Sequence, residues 1–315
     1  AAAETVLDSS SKSRALIGGG SREQAFESNN IKLSAKQQTY FNSLIDTRNA
    51  SIVGKSGGSA ENNISPEVYA AFIKGANIST GNTDLNVKNI VKKEWLNLVK
   101  EKWKHAPQSY NYNGIASSGG LINGPAVSSI TNISNTAQII VGAEAESDRA
   151  ERTQLTLKGD MIVSAENTVN AEDKAKISAA GVVENPEAVS KINIKKADSS
   201  FVMQNNSAVD AGEEFKAAVY TNVELDTEAH SKTFGAAGSA KGYSNSEINT
   251  ENMIHLMNNS SINTGGKLEL IAGQDSSYKS NQLKSHANTD LYNKTAARMK
   301  KKPRADDAAY EKNYI

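Results

Sequence analysis

Three stretches of this 315-residue chain restate one pattern: "TVNAEDKAKISAAG" at 168–181, "AVDAGEEFKAAVYT" at 208–221 and "SINTGGKLELIAGQ" at 261–274. Each places a branched residue before Asn or Asp, then a turn, then one short alternating strand. The offsets are shared. Val163, Met203 and Leu256 stand six residues before Val169, Val209 and Ile262, and the next strand begins six residues later at Ala175, Phe215 and Leu268. It continues two residues on at Ile177, Ala217 and Leu270. Further strands introduce the units near 154–157, 191–194 and 247–250, and the units start about 40 and then 53 residues apart, which assigns the excess to loops.

A strand of three to five residues cannot bury its own face, but stacked about 4.8 Å from an equivalent strand it forms a ladder. The pattern therefore predicts a mainly β chain built as a right-handed parallel β-helix, with branched residues inward and small ones at corners. Asn170, Asp210 and Asn263 are expected at those corners, stacking on one another or capping backbone groups. At roughly 20 residues per coil, the region 111–290 would hold about nine coils in a rod about 40 Å long. A β-sandwich accounts for the short strands, among them "QIIV" at 138–141, "TQLTL" at 153–157, "MIV" at 161–163, "KINI" at 191–194 and "FVM" at 201–203, but not for the repeated offsets.

The front of the chain has a different texture. Residues 1–33 show little hydrophobic pattern and read as a poorly ordered segment. "SAKQQTYFNSLID" at 34–46, "SPEVYAAFIKGAN" at 65–77 and the stretch 84–105 read as helices, which makes 34–110 a helical block or cap. In the last of them Trp95 and Trp103 sit on an apolar stripe among lysines, so the helix either seals the coil stack or contacts a membrane, with sealing preferred. Residues 111–290 form the β-helix, and 291–315 a basic tail or the start of a further coil, with "RMKKKPR" at 298–304.

Chemistry is sparse. Lys+Arg and Asp+Glu balance at 35 each, which gives no overall reason to expect nucleic acid as a partner. No cysteine is present, so disulfides, thiolate metal sites and a Cys nucleophile are excluded. His105, His230, His255 and His286 are scattered without metal-ligand spacing. "IVGKSGG" at 52–58 ends like a phosphate loop but has Asn49 where the first glycine belongs. Asp160, Glu172, Asp173, Asp210, Glu213 and Glu214 alternate with lysines as solvent-facing residues would. A sugar-cleaving site would need two of them to converge from adjacent coils. No catalytic, cofactor-binding or metal-ligating residue is assigned, and no cofactor is expected.

"NNSSINTGGKLELIAGQDSS" at 258–277, "SAENTVNAEDKAKISAAG" at 164–181 and "MQNNSAVDAGEEFKAAVYTNV" at 203–223 resemble segments of large secreted bacterial exoproteins of the leukotoxin and filamentous haemagglutinin type. The resemblance covers about 155–300. It implies a β-helical, non-enzymatic protein of the cell surface or medium in Gram-negative bacteria, exported by two-partner secretion. A host cell-surface receptor or glycan and an outer-membrane secretion partner would be its partners. The family's N-P-N-G turn is not matched: "NYNGI" at 111–115 has Tyr112 in place of Pro. On this reading the chain is a fragment of an adhesin or leukotoxin, and "TEAHSKTFGAAGSAKGYSNS" at 227–246 is its longest contact loop. A membrane-active region at 84–105, a glycan-processing enzyme and a surface-layer or virion protein are the alternatives.

Overall fold

The computed structural model describes residues 2–20, 24–50, 53–54, 57–94, 112–143, 152–293 and 305–314. Among them every regular element is a β-strand. The chain visits three sheets in a fixed rotation. A first circuit runs β1 (Ala2–Ile17), β2 (Phe26–Glu27), β3 (Asn30–Phe41), β4 (Ile45–Ala50) and β5 (Val53–Gly54). The second has β6 (Gly57–Ile73), β7 (Asn77–Thr80), β8 (Asn82–Lys93) and β9 (Gly114–Asn123). The third has β10 (Ala126–Ala143), β11 (Thr153–Leu157) and β12 (Met161–Glu184), and the fourth β13 (Glu187–Met203), β14 (Ser207–Ala211) and β15 (Phe215–Gly238). A fifth follows with β16 (Lys241–Leu256), β17 (Ser261–Thr264), β18 (Leu268–Ala272) and β19 (Leu283–Asn293), and β20 (Ala305–Tyr314) begins another.

Sheet A is ordered β1-β6-β10-β13-β16-β20, sheet B β17-β14-β11-β7-β2 and sheet C β18-β15-β12-β8-β3, with β4, β5, β9 and β19 extending sheet C. Every strand pairing in them is parallel. The five predicted short strands all lie within β10, β11, β12 and β13.

Parallel register turns the sequence into columns. Ile64, Ile133, Ile194 and Ile248 stack in sheet A, each buried. Leu33, Leu85, Val163, Ala217 and Leu270 stack in sheet C, and Ile78, Leu155, Val209 and Ile262 in sheet B. The sheet B and sheet C columns belong to a main apolar cluster with Phe72, Ile139, Phe201 and Phe215, while the isoleucine column belongs to a second cluster, and a third lies further along sheets A and C. At about 25 cal/mol per Å² of apolar area, such columns supply the main driving force for stacking.

The interior is not uniformly apolar. Sheet A bends at one β-bulge, beside Lys195 of β13, where the register shifts against both β10 and β16. Sheet C answers with an inward polar column, Gln37, Asn89, Asn167 and Thr221. Asn89 Nδ2 donates to the carbonyls of Pro66 at 3.0 Å and Thr136 at 3.1 Å, Asn167 Nδ2 to that of Asp198, and Thr221 Oγ1 to that of Ala197 at 3.3 Å. Unpaired buried carbonyls are costly, and this column supplies donors to carbonyls of β6, β10 and β13.

The corner between sheets B and C explains the repeated glycine. A Cβ on Gly212 would stand 2.2 Å from the Lys158 carbonyl oxygen, and one on Gly265 2.2 Å from that of Gly212. Only glycine permits one turn to rest on the next at this distance. The same corner carries a side-chain ladder: Asn30 Oδ1 accepts from Asn82 N, Asn82 Oδ1 from Asp160 N at 2.9 Å, and Asp160 Oδ1 from Glu214 N at 2.8 Å.

Several expectations are corrected. Among the described residues the helical block is absent: 34–41, 65–73 and 84–93 lie in β3, β6 and β8. Their apolar residues fall on alternate inward positions, and parallel partners on both sides of β6 and β8 override the helical spacing. Residues 2–17 of the segment expected to be poorly ordered form β1, paired along its whole length with β6. Trp95, Trp103 and the basic tract 298–304 lie outside the described residues, and within 291–315 β20 pairs in parallel with β16.

The expected period was also too short. Paired positions lie 52 residues apart between β3 and β8, 54 between β12 and β15 and 53 between β15 and β18. Residues 111–290 therefore hold about three circuits, and six strands of sheet A at about 4.8 Å stack to about 24 Å. The second and third repeats are in true register, with Met203 on Leu256 and Val209 on Ile262. The first is not, because Val163 pairs with Ala217. Asp210 and Asn263 lie within β14 and β17, and Asn170 within β12. The expected loops at 182–190 and 222–247 are largely strand, interrupted at 185–186 and 239–240.

Candidate functional site

The outer face of sheet C concentrates the titratable groups. Strand alternation sends Glu172, Lys174 and Lys176 of β12 outward, and register sets them beside Asp226, Glu228 and His230 of β15, with His286 and Asp290 of β19 next in line. Lys174 Nζ lies 3.0 Å from Glu228 Oε1 and 3.9 Å from Asp226 Oδ2, and it also pairs with Glu172. His230 lies 2.9 Å from Glu228 Oε2 and 3.5 Å from Asp290 Oδ2, while His286 Nδ1 lies 2.9 Å from Asp226 Oδ1. Tyr112, just ahead of β9, lies over this cluster. Its ring meets His230 edge-on at 5.7 Å between centroids and Lys176 Nζ at 4.8 Å.

Partial burial opposes the charge on Lys174, yet its hydrogen bonds to Glu172 and Glu228 outweigh this and raise its pKa above the usual lysine value. Partial burial likewise works against the Glu228 carboxylate, but bonds from His230 and Lys174 hold its pKa below the usual range. Burial first, then the Glu228 charge, pushes the Tyr112 phenol up. The result is a network in which acidic and basic side chains interleave. It presents donors and acceptors to a polar surface and contains no isolated general acid or base.

A second charged group sits deep inside. Lys93, the last residue of β8, and Asp173 of β12 are both fully buried, with Nζ 2.6 Å from Oδ2. Thr131 of β10 bridges them: Lys93 Nζ donates to its Oγ1 at 2.8 Å, and that hydroxyl donates to Asp173 Oδ2 at 2.8 Å. Asn62 Nδ2 donates to the same hydroxyl at 3.3 Å. Asp173 Oδ1 has no partner. Burial pushes the Lys93 ammonium down, against the opposing pull of the Asp173 charge. Each buried ion costs several kcal/mol before its partner offsets it, so the pair is an expensive feature for stability alone.

The carboxylates singled out in the sequence do not converge. Asp160 serves the corner ladder, Glu172 pairs with Lys174, and Asp210 accepts from Gln154 at 2.5 Å and Asn263 at 2.7 Å. Glu213 offers its backbone carbonyl to Gly266 N. Asp173 reverses its expected solvent-facing position. Of the histidines, His230 and His286 join the sheet C cluster, His255 is exposed, and His105 lies outside the described residues, as do Lys55 and Ser56 of the phosphate-loop resemblance. Among the described residues no group of three or more His, Asp or Glu side chains is placed to hold a metal ion.

Sequence reasoning missed Lys93 and Thr131. Their signal was the alternation Leu85, Val87, Asn89, Val91, Lys93, which puts a lysine in an inward slot once the stretch is read as a strand. Comparison with known proteins returned no matching family model, curated protein or solved structure.

Proposed function

We propose that this chain is a non-enzymatic scaffold segment of a secreted or surface-bound bacterial adhesin or leukotoxin, built as a right-handed parallel β-helix. The observation that carries this reading is the fixed rotation through sheets A, B and C, with parallel register maintained from circuit to circuit. A chain that repeats such a rotation winds about one axis, and parallel crossovers are right-handed in nearly all known cases. Each circuit adds about 4.8 Å of height and a fresh row of outward side chains. Reach and patterned surface are what an extracellular contact protein needs.

In this reading the contact surface is the outer face of sheet C around Tyr112, Lys174, Lys176, Glu228 and His230, in place of the loop expected at 227–246. Its partners are a host cell-surface receptor or glycan, with an outer-membrane secretion partner for the longer protein. Interleaved charge on a flat polar face suits a hydrogen-bonding ligand.

The test is saturable binding of the purified chain to host cells and to an array of cell-surface glycans, compared with Lys174→Glu/Lys176→Glu. Binding that weakens at least tenfold in the variant supports the reading. Binding to neither target, or release of sugar from the array, overturns it.

A further inference from the structure

A chain without cysteine has no disulfide with which to tie one circuit to the next. From the enclosure and geometry of Lys93, Asp173 and Thr131 we infer that the chain makes such a tie itself, as an amide between Lys93 Nζ and Asp173 Cγ. The two side chains come from adjacent circuits, β8 and β12, and point inward two residues apart along the ladder, since Lys93 is in register with Ala171. Both are sealed from solvent, and the nucleophilic nitrogen is already 2.6 Å from a carboxylate oxygen. Phe41 and Ala171 stack in the Lys93 column, and Ala171 and Ala175 flank Asp173 on the inward face.

The chemistry balances without an external reagent. Sealed from solvent, the Lys93 ammonium passes a proton to Asp173, leaving a neutral amine beside a neutral carboxylic acid. Desolvation already favours the uncharged amine. The Nζ lone pair attacks Cγ, forming the C–N bond and a tetrahedral centre. One Cγ–O bond then breaks. The departing hydroxyl takes the proton released by Nζ, relayed by the Thr131 hydroxyl that touches both reacting groups at 2.8 Å, and leaves as water. Nothing is oxidised or reduced. The product replaces two buried charges by one amide, and the preset geometry supplies the effective concentration that free lysine and aspartate lack in water. It is a single self-modification and involves no turnover.

The enclosure also differs from that of the other lysine–carboxylate pairs. Lys88–Glu166 and Lys216–Glu269 lie on the outer face, partly exposed, and Lys174 shares three carboxylates there. Of the ion pairs among the described residues, Lys93–Asp173 alone has both side chains at zero exposure.

The experiment is intact-mass measurement of the purified folded chain, followed by protease digestion and fragmentation. The expected result is a mass lower than that of the sequence by one water, with a branched peptide joining the Lys93 and Asp173 segments. Lys93→Arg keeps the charge but has no amine, and it should restore the sequence mass, as should Asp173→Ala. A full sequence mass for the wild-type chain overturns the inference. So does a loss of water without the branched peptide, because a succinimide at an aspartate gives the same mass. The readout is independent of ligand binding, so its failure leaves the scaffold reading standing and the reverse also holds.

Discussion

The side-chain amide of Asn135, in sheet A, donates to the side-chain oxygen of Asn167, in sheet C, at 3.1 Å, with both residues fully buried. The contact crosses the interior at the bend of sheet A, where Asn167 also serves the Asp198 carbonyl. Replacing Asn167 by Leu fills the space but leaves that carbonyl and the Asn135 amide without partners. The expected cost is about 1–3 kcal/mol, read as a lower urea midpoint. Asn170→Ala, three residues along the same strand but exposed, should stay within about 0.5 kcal/mol of the parent.

Much of the fold was legible because strand signals are local. "TQLTL" coincides with β11, and the 53-residue spacing of Met203 and Leu256 is the true register. The turns repeat as well: Asn206 and Asn259, both left-handed, stand at the same place in two "NNS" stretches. Of the two roles expected of the repeated Asn and Asp, stacking is the one Asp210 and Asn263 fill, and capping at the corner falls to other residues. Asn30, Asn82 and Asp160 perform it, whereas Asp210 and Asn263 bond to each other within sheet B.

Less was legible where long-range pairing decides. Val68, Tyr69, Phe72 and Ile73 satisfy a helical stripe as well as a strand, and only the parallel neighbours β1 and β10 select the strand. The first repeat was misaligned because several short apolar segments fit a six-residue offset equally well. The site suffered most. Tyr112, Glu172, Glu228 and His286 are distant in sequence and meet only through the register of β9, β12, β15 and β19.

The corner glycine gives a sharper test of stacking. In Gly212→Ala the new methyl meets the Lys158 carbonyl oxygen at 2.2 Å and its carbon at 2.7 Å, both backbone atoms of the circuit beneath. The layers must separate at that corner. A loss of at least about 1–3 kcal/mol is expected, as for other overpacked interiors. Gly119→Ala, whose added Cβ would stand 3.8 Å from the Ala180 carbonyl oxygen, should be tolerated within about 0.5 kcal/mol. Chemical denaturation of both variants against the parent separates a tightly stacked corner from an uncrowded strand position.

Acid should loosen the sheet C network in a defined direction. The folded-state pKa of Glu228 is depressed, so its contribution is present above the unfolded value near 4.3 and is lost as pH falls through the lower folded value. Lys174 is raised, so its contribution is present below about 10.4 and is lost as pH rises through its folded value. With both groups at the surface, each effect is at most about 1 kcal/mol. Melting temperature measured between about pH 5 and 3 should fall less steeply in Glu228→Gln than in the parent. Equal slopes would remove Glu228 from the network's energetics.

The isoleucine column tests whether the interior of sheet A is packed from layer to layer. Ile133 is fully buried between Ile64 and Ile194, so Ile133→Ala opens a cavity that neighbours on both sides must fill. A loss of about 2–5 kcal/mol is expected. Ile133→Val removes one methyl group and should cost about 0.5–1.5 kcal/mol. The graded pair matters more than either value. A packed column yields the two costs in that order with an unchanged denaturant slope, whereas a loosely ordered interior yields small, similar costs and a reduced slope. Hydrogen exchange on β6, β10 and β13 would then show whether the Ala variant opens locally at the bend or across all three circuits.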